Sequence, residues 1–202
     1  MSKQPNRIRL GVLAAIILLA ALSRLIGPVF FGGGSNFAPV GAIALFGGAY
    51  LGRTWLALVI PLAALFLSDL LLAWHGQYNM FYQGFYWQYM AFGMVVLIGM
   101  LVLKKIQIPR LVGASLLASV SFFLISNFGV WASGQMYPMT FSGLWQCYVM
   151  GIPFFRGTLL GDLFYTMVLF GAFEMAKMRF SVLASYTDLF GARARFFNIR
   201  PV

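Results

Sequence analysis

Six long apolar runs, separated by short polar or basic stretches, dominate this chain of 202 residues. A helix that crosses the hydrocarbon core of a bilayer needs roughly 20 mostly apolar residues. The runs therefore predict an all-α integral membrane protein. Composition agrees, because only 9% of the residues are charged, whereas a soluble domain carries about 25%. The six predicted transmembrane helices lie at about residues 9–27, 38–52, 54–74, 86–104, 110–132 and 154–176.

The positive charges predict how this bundle lies in the membrane. An even number of spans places both termini on one side, and all of the 14 Lys and Arg except Arg24 and Arg156 fall on that side. Basic residues accumulate on the cytoplasmic side of membrane proteins. We therefore predict a single domain in the bacterial cytoplasmic (inner) membrane, with cytoplasmic termini and a basic tail at 177–202. The scattered charges indicate the lipid bilayer, rather than nucleic acid, as the partner.

Five strongly polar residues are predicted to share one layer near the external face: Arg24, Asp69, Asn127, Arg156 and Asp162. Since a charge facing lipid is costly, we expect them to face the bundle interior and each other. Arg156 and Asp162 are six residues apart and point in different directions, so each needs a partner on another helix. Arg24–Asp162 and Arg156–Asp69 are the candidate pairs. The layer is either structural, holding the helices together, or the floor of a pocket open to the outside.

The predicted external loops, 27–37, 74–89 and 133–153, are long and rich in aromatic and amide side chains. They favour a cover over a mostly apolar binding site, although an aromatic belt at the membrane interface is the simpler interpretation of any single Trp or Tyr. The predicted substrate-binding residues are Asn36, Asp69, Trp74, His75, Tyr78, Asn127, Trp131, Trp145, Cys147, Arg156 and Asp162.

Small and hydroxyl residues recur at four-residue spacing, which lets helix backbones approach closely. Ala44 and Gly48 form such a pair in the second span, and Ser115 and Ser119 form one in the fifth. In the sixth span, Asp162 lies on a polar stripe with threonines one turn to either side. These patterns predict packing within the chain or docking on another membrane subunit.

Catalysis has little support in the sequence. His75 and Cys147 are the only histidine and cysteine, and a nucleophile needs a base within reach. No phosphate-binding loop is present, so the chain does not hydrolyse ATP itself. We predict that the protein is not an enzyme. Cys147 is either a small apolar residue or a reactive thiol or metal ligand in an external pocket.

Three motifs carry a resemblance to a known class of membrane protein: NFAPVGAIALFGGA at 36–49, SNFGVW at 126–131 and GDL at 161–163. Together with six short helices and long external loops, they resemble an uncharacterised bacterial family that is similar to the S components of energy-coupling factor (ECF) transporters. S components bind a vitamin or metal ion from outside, and a coupling membrane protein with two ATPases drives its release inside.

The resemblance implies an S-component-like bundle that binds a small-molecule substrate and partners an ECF energising module. By size it is closest to the solitary cobalamin-binding type, which implies bound cobalamin as substrate, no resident cofactor, and Cys147 or His75 as the ligand of cobalt. By position, it implies that small residues on the early helices contact the coupling protein: Gly11, Ala15, Ala44 and Gly48.

We therefore expect a substrate-binding membrane subunit that takes up a vitamin or similar nutrient, with cobalamin as the first guess. A proton-coupled small-solute carrier is the near alternative, because Asp69 or Asp162 beside an arginine would make a proton site. No inverted repeat supports that alternative. The remaining alternatives are a redox subunit that uses Cys147 and a purely structural subunit of a membrane complex.

Overall fold

The computed structural model describes residues 7–26, 36–52, 55–76 and 79–184. Within them the chain forms six α-helices and a final short 3-10 turn, Ser181–Leu183. The helices are α1 (Arg7–Ser23), α2 (Val40–Tyr50), α3 (Leu56–Trp74), α4 (Phe85–Val102), α5 (Ile108–Ala132) and α6 (Phe141–Arg179). The predicted all-α fold is confirmed. Residues 27–35, before α2, and the tail from residue 185 onward lie outside the described residues.

Four of these helices, α3 to α6, are long and apolar enough to cross a membrane. Their lengths range from 18 to 39 residues, or about 27 to 58 Å at the usual helical rise. The hydrocarbon core of a bilayer is about 30 Å thick. Large apolar side chains such as Leu101, Leu160 and Phe164 are exposed on the outside of the bundle, as expected for a lipid-facing surface.

Helix α2 is much shorter than the span predicted at 38–52. Its 11 residues cover about 16 Å, roughly half of the hydrocarbon core. Every residue from Gly41 to Gly48 is buried, because α2 is surrounded by the longer helices. The small side chains of this segment allow that position: a Cβ on Gly48 would collide with the backbone carbonyl of Val96 in α4. A short helix that is buried along most of its length therefore lies at the centre of the bundle.

Contacts between the helices show that successive helices run in opposite directions. The C-terminal end of α1 meets the C-terminal third of α3 through Arg24 and Asp69. The start of α4 packs against the end of α5, where Trp87 contacts Phe128. Helix α2 runs alongside α6 in the same direction, because its first turn meets Asp162 and its last residue, Tyr50, contacts Phe173 further along α6.

This alternation gathers the basic residues at one end of the bundle. The described Lys and Arg of that end lie in the terminal turns of α1, α5 and α6 or just after α4: Arg7, Arg9, Lys104, Lys105, Arg110, Lys177 and Arg179. Arg24 and Arg156 lie toward the opposite end, which we call the acidic end because Asp69 and Asp162 lie in that half. The arrangement is the one that the predicted topology requires. Six complete spans and cytoplasmic termini stay predictions.

Helix α6 begins at Phe141, well before the predicted start at 154. The predicted external loop ends at Pro153, which lies inside the helix. A proline inside a membrane helix is tolerated when neighbouring helices support the freed backbone groups. Thr140 starts the helix, since its hydroxyl accepts a hydrogen bond from the Gly143 N–H at 3.2 Å. The predicted loop at 133–153 is therefore reduced to 133–140, and the remainder is helical.

Candidate functional site

A buried ion pair closes the acidic end of the bundle between α1 and α3. Arg24 Nη1 lies 2.7 Å from Asp69 Oδ1, and the two side chains are 12% and 2% exposed. The same guanidinium donates to the Ser68 hydroxyl at 2.7 Å. Tyr89 of α4 donates to Asp69 Oδ2 at 2.6 Å. The carboxylate therefore ties three helices together through two charge-assisted hydrogen bonds.

Asp162, on α6, is the second buried carboxylate. Its Oδ1 accepts the backbone N–H of Gly41 at 2.9 Å, and its Oδ2 accepts the hydroxyl of Ser119 in α5 at 2.7 Å. Gly41 is in the first turn of α2, where unpaired N–H groups and the helix dipole favour a negative charge. Glycine is required there, because a Cβ at position 41 would lie 2.6 Å from Asp162 Cγ. Asp162 therefore joins α2, α5 and α6.

The pairs predicted from sequence are wrong. Arg24 pairs with Asp69 rather than with Asp162, and Asp69 does not pair with Arg156. Arg156 is exposed and lies on the side of α6 opposite to the stripe that carries Asp162. Among the described residues it forms no hydrogen bond or ion pair. The cause is the position of Arg156 around the helix axis. Gly151, Phe155 and Thr158 lie on the face of α6 that points into the bundle, and residue 156 lies outside that face.

An open cleft lies between α5 and α6 toward the acidic end, and it holds two of the predicted binding residues, Asn36 and Asn127. Its volume is about 210 Å³. Hydroxyl, amide and phenylalanine side chains all line it, and a mostly apolar lining with a few polar groups is the composition of a small-solute site. The lining residues are Asn36, Phe122, Phe123, Ser126, Asn127, Gly151, Phe154, Phe155 and Thr158.

The polar groups of the cleft are positioned by their own helices. Asn127 Nδ2 donates to the Phe123 carbonyl at 2.8 Å, and the Ser126 hydroxyl donates to the Phe122 carbonyl at 2.7 Å. These bonds fix both side chains. The amide oxygen of Asn127 accepts no hydrogen bond within the described part of the chain, so it is available to a donor in the cleft.

A larger hollow of about 450 Å³ lies at the basic end of the bundle. It is lined by Gly48, Ala49, Gly52, Met100, Leu103 and Lys104. Lys104 is the one side chain with a strong hydrogen-bonding group there, whereas the smaller cleft has four. Convergent polar groups are what fix a ligand's orientation, so we take the α5–α6 cleft as the candidate site.

Comparison with known proteins identifies a family. Residues 4–184 match DUF6580, described as a family of unknown function. The chain belongs to DUF6580. No curated protein and no solved structure matches it. The activity of this DUF6580 protein therefore has to be argued from its own residues.

The predicted aromatic ligands of the DUF6580 protein do not converge on the cleft. Trp74 and Trp145 are 82% and 65% exposed, and Trp74 packs against the exposed His75 with ring centroids 5.7 Å apart. Trp131 donates to the Pro138 carbonyl at 3.1 Å, which fastens the loop between α5 and α6. Tyr78 lies outside the described residues. These rings fit the aromatic-belt interpretation better than a stacking role in this cleft.

Cys147 is buried on α6, where its thiol lies 3.2 Å from the Asn127 carbonyl and donates to it. It is absent from the lining of the cleft. The geometry is that of a small packed residue between α5 and α6. Within the described residues, no three His, Cys, Asp or Glu side chains group as a metal site.

The four small residues assigned to packing or partner contact separate into two classes. Ala44 and Gly48 are buried inside the bundle, so their role is packing within the chain. Gly11 and Ala15 lie on the exposed side of α1, and a Cβ at Gly11 would meet no atom within 4 Å. Contact with a partner subunit stays a prediction for this second pair alone.

No sequence pattern points to Tyr89 as a partner of Asp69, or to Ser68 as a partner of Arg24. Serine and tyrosine are common in membrane helices, and which residues meet is decided by the rotation of three helices about their axes. Ser119 carries a weak signal, because its four-residue spacing with Ser115 marks one face of α5. That face receives Asp162, so the spacing marks a polar contact as well as close packing.

Proposed function

We propose that this DUF6580 protein is a substrate-binding membrane subunit, of the S-component type, that takes up a small polar nutrient from the extracytoplasmic side of the bacterial cytoplasmic membrane. The observation that carries the proposal is the cleft between α5 and α6, which Ser126, Asn127 and Thr158 line together with phenylalanines. An ECF-type energising module at the basic end is the proposed partner.

The segment that precedes α2 supports this proposal. Asn36 lines the cleft, and the backbone around it rests on α6, where a Cβ at Gly157 would lie 3.2 Å from the Asn36 nitrogen. Ala38 approaches Gly161 in the same way. Residues 36–38 are therefore laid across α6 and into the edge of the cleft. Release of this segment would open the cleft without moving a transmembrane helix.

The size of the cleft favours a ligand much smaller than cobalamin. Sites for drug-sized ligands measure about 300–1,000 Å³, and this cleft holds about 210 Å³. A corrinoid is several times larger. Cys147 is also turned toward a backbone carbonyl rather than toward the cleft. We therefore replace the first guess with a compact solute that presents at least one hydrogen-bond donor to Asn127 and an apolar body to the phenylalanines.

A proton- or cation-coupled carrier is the second candidate. Asp162 favours it, because this carboxylate is 1% exposed and forms no ion pair with any described Lys, Arg or His. Buried ionisable groups in membrane segments without a partner mark ion pathways or proton relays. Asp69 does not support this candidate, since Arg24 already neutralises it.

The cleft can be tested with Asn127→Ala. A thermal-shift screen of vitamins, amino acids and other small metabolites on the detergent-purified protein first identifies a stabilising solute. Loss of one hydrogen bond to a neutral ligand weakens binding by about tenfold. We therefore expect the Kd for that solute to rise about tenfold in Asn127→Ala, measured by calorimetric titration.

The matched control is Ser133→Ala, which removes a hydroxyl that caps the C-terminus of α5 and donates to the Val130 carbonyl, outside the cleft. Its Kd should equal that of the wild type. Equal affinities in Asn127→Ala and the wild type would exclude this cleft as the binding site, and the absence of any stabilising solute would favour a structural subunit.

A further inference from the structure

Four buried polar side chains form one group between α5 and α6, below the cleft. Ser119 and Asp162 touch through a 2.7 Å hydrogen bond. Ser115 lies one turn before Ser119, and Thr166 lies one turn after Asp162. All four are at most 1% exposed. We call them the hydroxyl–carboxylate cluster.

The antiparallel register of α5 and α6 brings the second pair together as well. Residues four apart lie on the same face of a helix. Since Ser119 faces Asp162 and the two helices run in opposite directions, one turn along each helix places Ser115 opposite Thr166. The four oxygens therefore occupy the corners of one small patch at the centre of the interface.

The hydroxyls of Ser115 and Thr166 are buried without a hydrogen-bond partner among the described residues. Leaving such a group unsatisfied costs about 1–3 kcal/mol, and native proteins rarely do so. In membrane helices Ser and Thr usually donate to a carbonyl one turn earlier, as Ser126 does here. Ser115 and Thr166 both lack such a bond, and they lie beside a carboxylate that has no ion-pair partner. This combination indicates that a ligand is missing.

The charge of the cluster identifies that ligand as a cation of single charge. Asp162 supplies one negative charge, and no described Lys or Arg neutralises it. A divalent ion would leave an uncompensated positive charge in the membrane interior, which is costly. Hard cations prefer oxygen ligands from carboxylates and neutral oxygens. The cluster offers Asp162 Oδ2 and three hydroxyl oxygens.

We propose that the hydroxyl–carboxylate cluster is a binding site for Na⁺. Helix α2 forms another side of the site. The Gly41 N–H in its first turn donates to the other carboxylate oxygen, and this bond holds the Asp162 side chain in place. The proposal rests on the cluster alone and stands without the solute cleft.

The test is the thermal stability of the full-length protein in detergent as NaCl replaces choline chloride at constant total salt. At ten times its Kd, a ligand that binds only the folded state raises the Tm of a chain this size by about 3 °C or more. We expect that rise with NaCl and a smaller one with KCl.

Thr166→Val and Ser115→Ala separate an ion site from a packing role. Each removes a hydroxyl that has no partner, so in choline chloride each variant should be as stable as the wild type or more stable. Each should lose most of the Na⁺-dependent rise. Asp162→Asn should lose all of it. Ser133→Ala should keep it, and so should Asn127→Ala, which separates this proposal from the solute cleft.

Three results would overturn the proposal. The first is a wild-type Tm that does not change when Na⁺ replaces choline. The second is an equal rise with K⁺ and Na⁺, which would indicate an effect of metal salts in general. The third is a full Na⁺-dependent rise in Thr166→Val or Ser115→Ala.

Discussion

Replacing Arg24 with methionine lowers the free energy of unfolding by about 3–5 kcal/mol, because Asp69 is then left buried without a countercharge. Asp69 is 1% exposed and receives its ion pair from Arg24 alone among the described residues. The Ser68 hydroxyl also loses the guanidinium that donates to it. The measurement is denaturant-induced unfolding of the purified protein in mild detergent.

Arg156→Met is the matched control, because it removes the other arginine of the acidic end. Arg156 is exposed and has no partner in the described structure, so its replacement should change stability by no more than about 0.5 kcal/mol. The double variant Arg24→Met/Asp69→Asn should regain most of the loss, since it removes the buried charge as well. Equal losses in the two arginine variants would contradict the assignment of the ion pair.

Gly48→Ala has the second large effect, a loss of about 2–3 kcal/mol from overpacking. The added Cβ meets the Val96 carbonyl and lies 3.1 Å from the Met100 nitrogen. Both are backbone atoms of α4, so a side-chain rotation cannot relieve the collision and α2 must move away from α4. Thermal unfolding in detergent measures the loss.

Gly11→Ala is the control for this second prediction, because it adds the same methyl group to a helix surface with no atom within 4 Å. It should leave stability unchanged or raise it slightly through helix propensity. The comparison also addresses partner docking: if Gly11 faces a second subunit, Gly11→Ala alters assembly while the isolated protein stays stable. A stable Gly48→Ala protein would show that α2 does not pack as described.

The sequence predicts the order of the described helices well, because the apolar runs are set by the same requirement that defines a membrane helix. It predicts their ends less well. The predicted external loop ends at Pro153, yet α6 continues through it because α5 packs alongside. The sequence predicts a full span for α2, yet the helix covers only about half of that length. The prediction is wrong because an apolar composition cannot distinguish a lipid-facing helix from one buried among other helices.

The site was partly predictable. Asn36 and Asn127 are recognisable as amides in apolar surroundings, and the structure places both in one cleft. The partners of the charged residues were not predictable. Depth along a helix follows from counting residues, but which of two acids meets Arg24 depends on helix rotation and on which helices are neighbours. Arg156 was predicted to face inward from its charge alone, and its position around α6 turns it outward.

The measurement that tests the central claim most directly is mass analysis of the small molecules that copurify with the protein in mild detergent, compared between the wild type and Thr158→Phe. Thr158 lines the cleft, and a phenylalanine there fills the space without removing the Asn127 amide. Thr158→Ser, which keeps the hydroxyl and adds no volume, is the control.

We expect one stoichiometric compact solute in the wild type and in Thr158→Ser, and none in Thr158→Phe. A solute that remains bound to Thr158→Phe would place the site elsewhere in the bundle. Bound corrinoid would contradict the small-solute assignment. A wild-type protein that carries no small molecule, and that no vitamin or metabolite stabilises, would contradict the claim that this DUF6580 protein binds a solute.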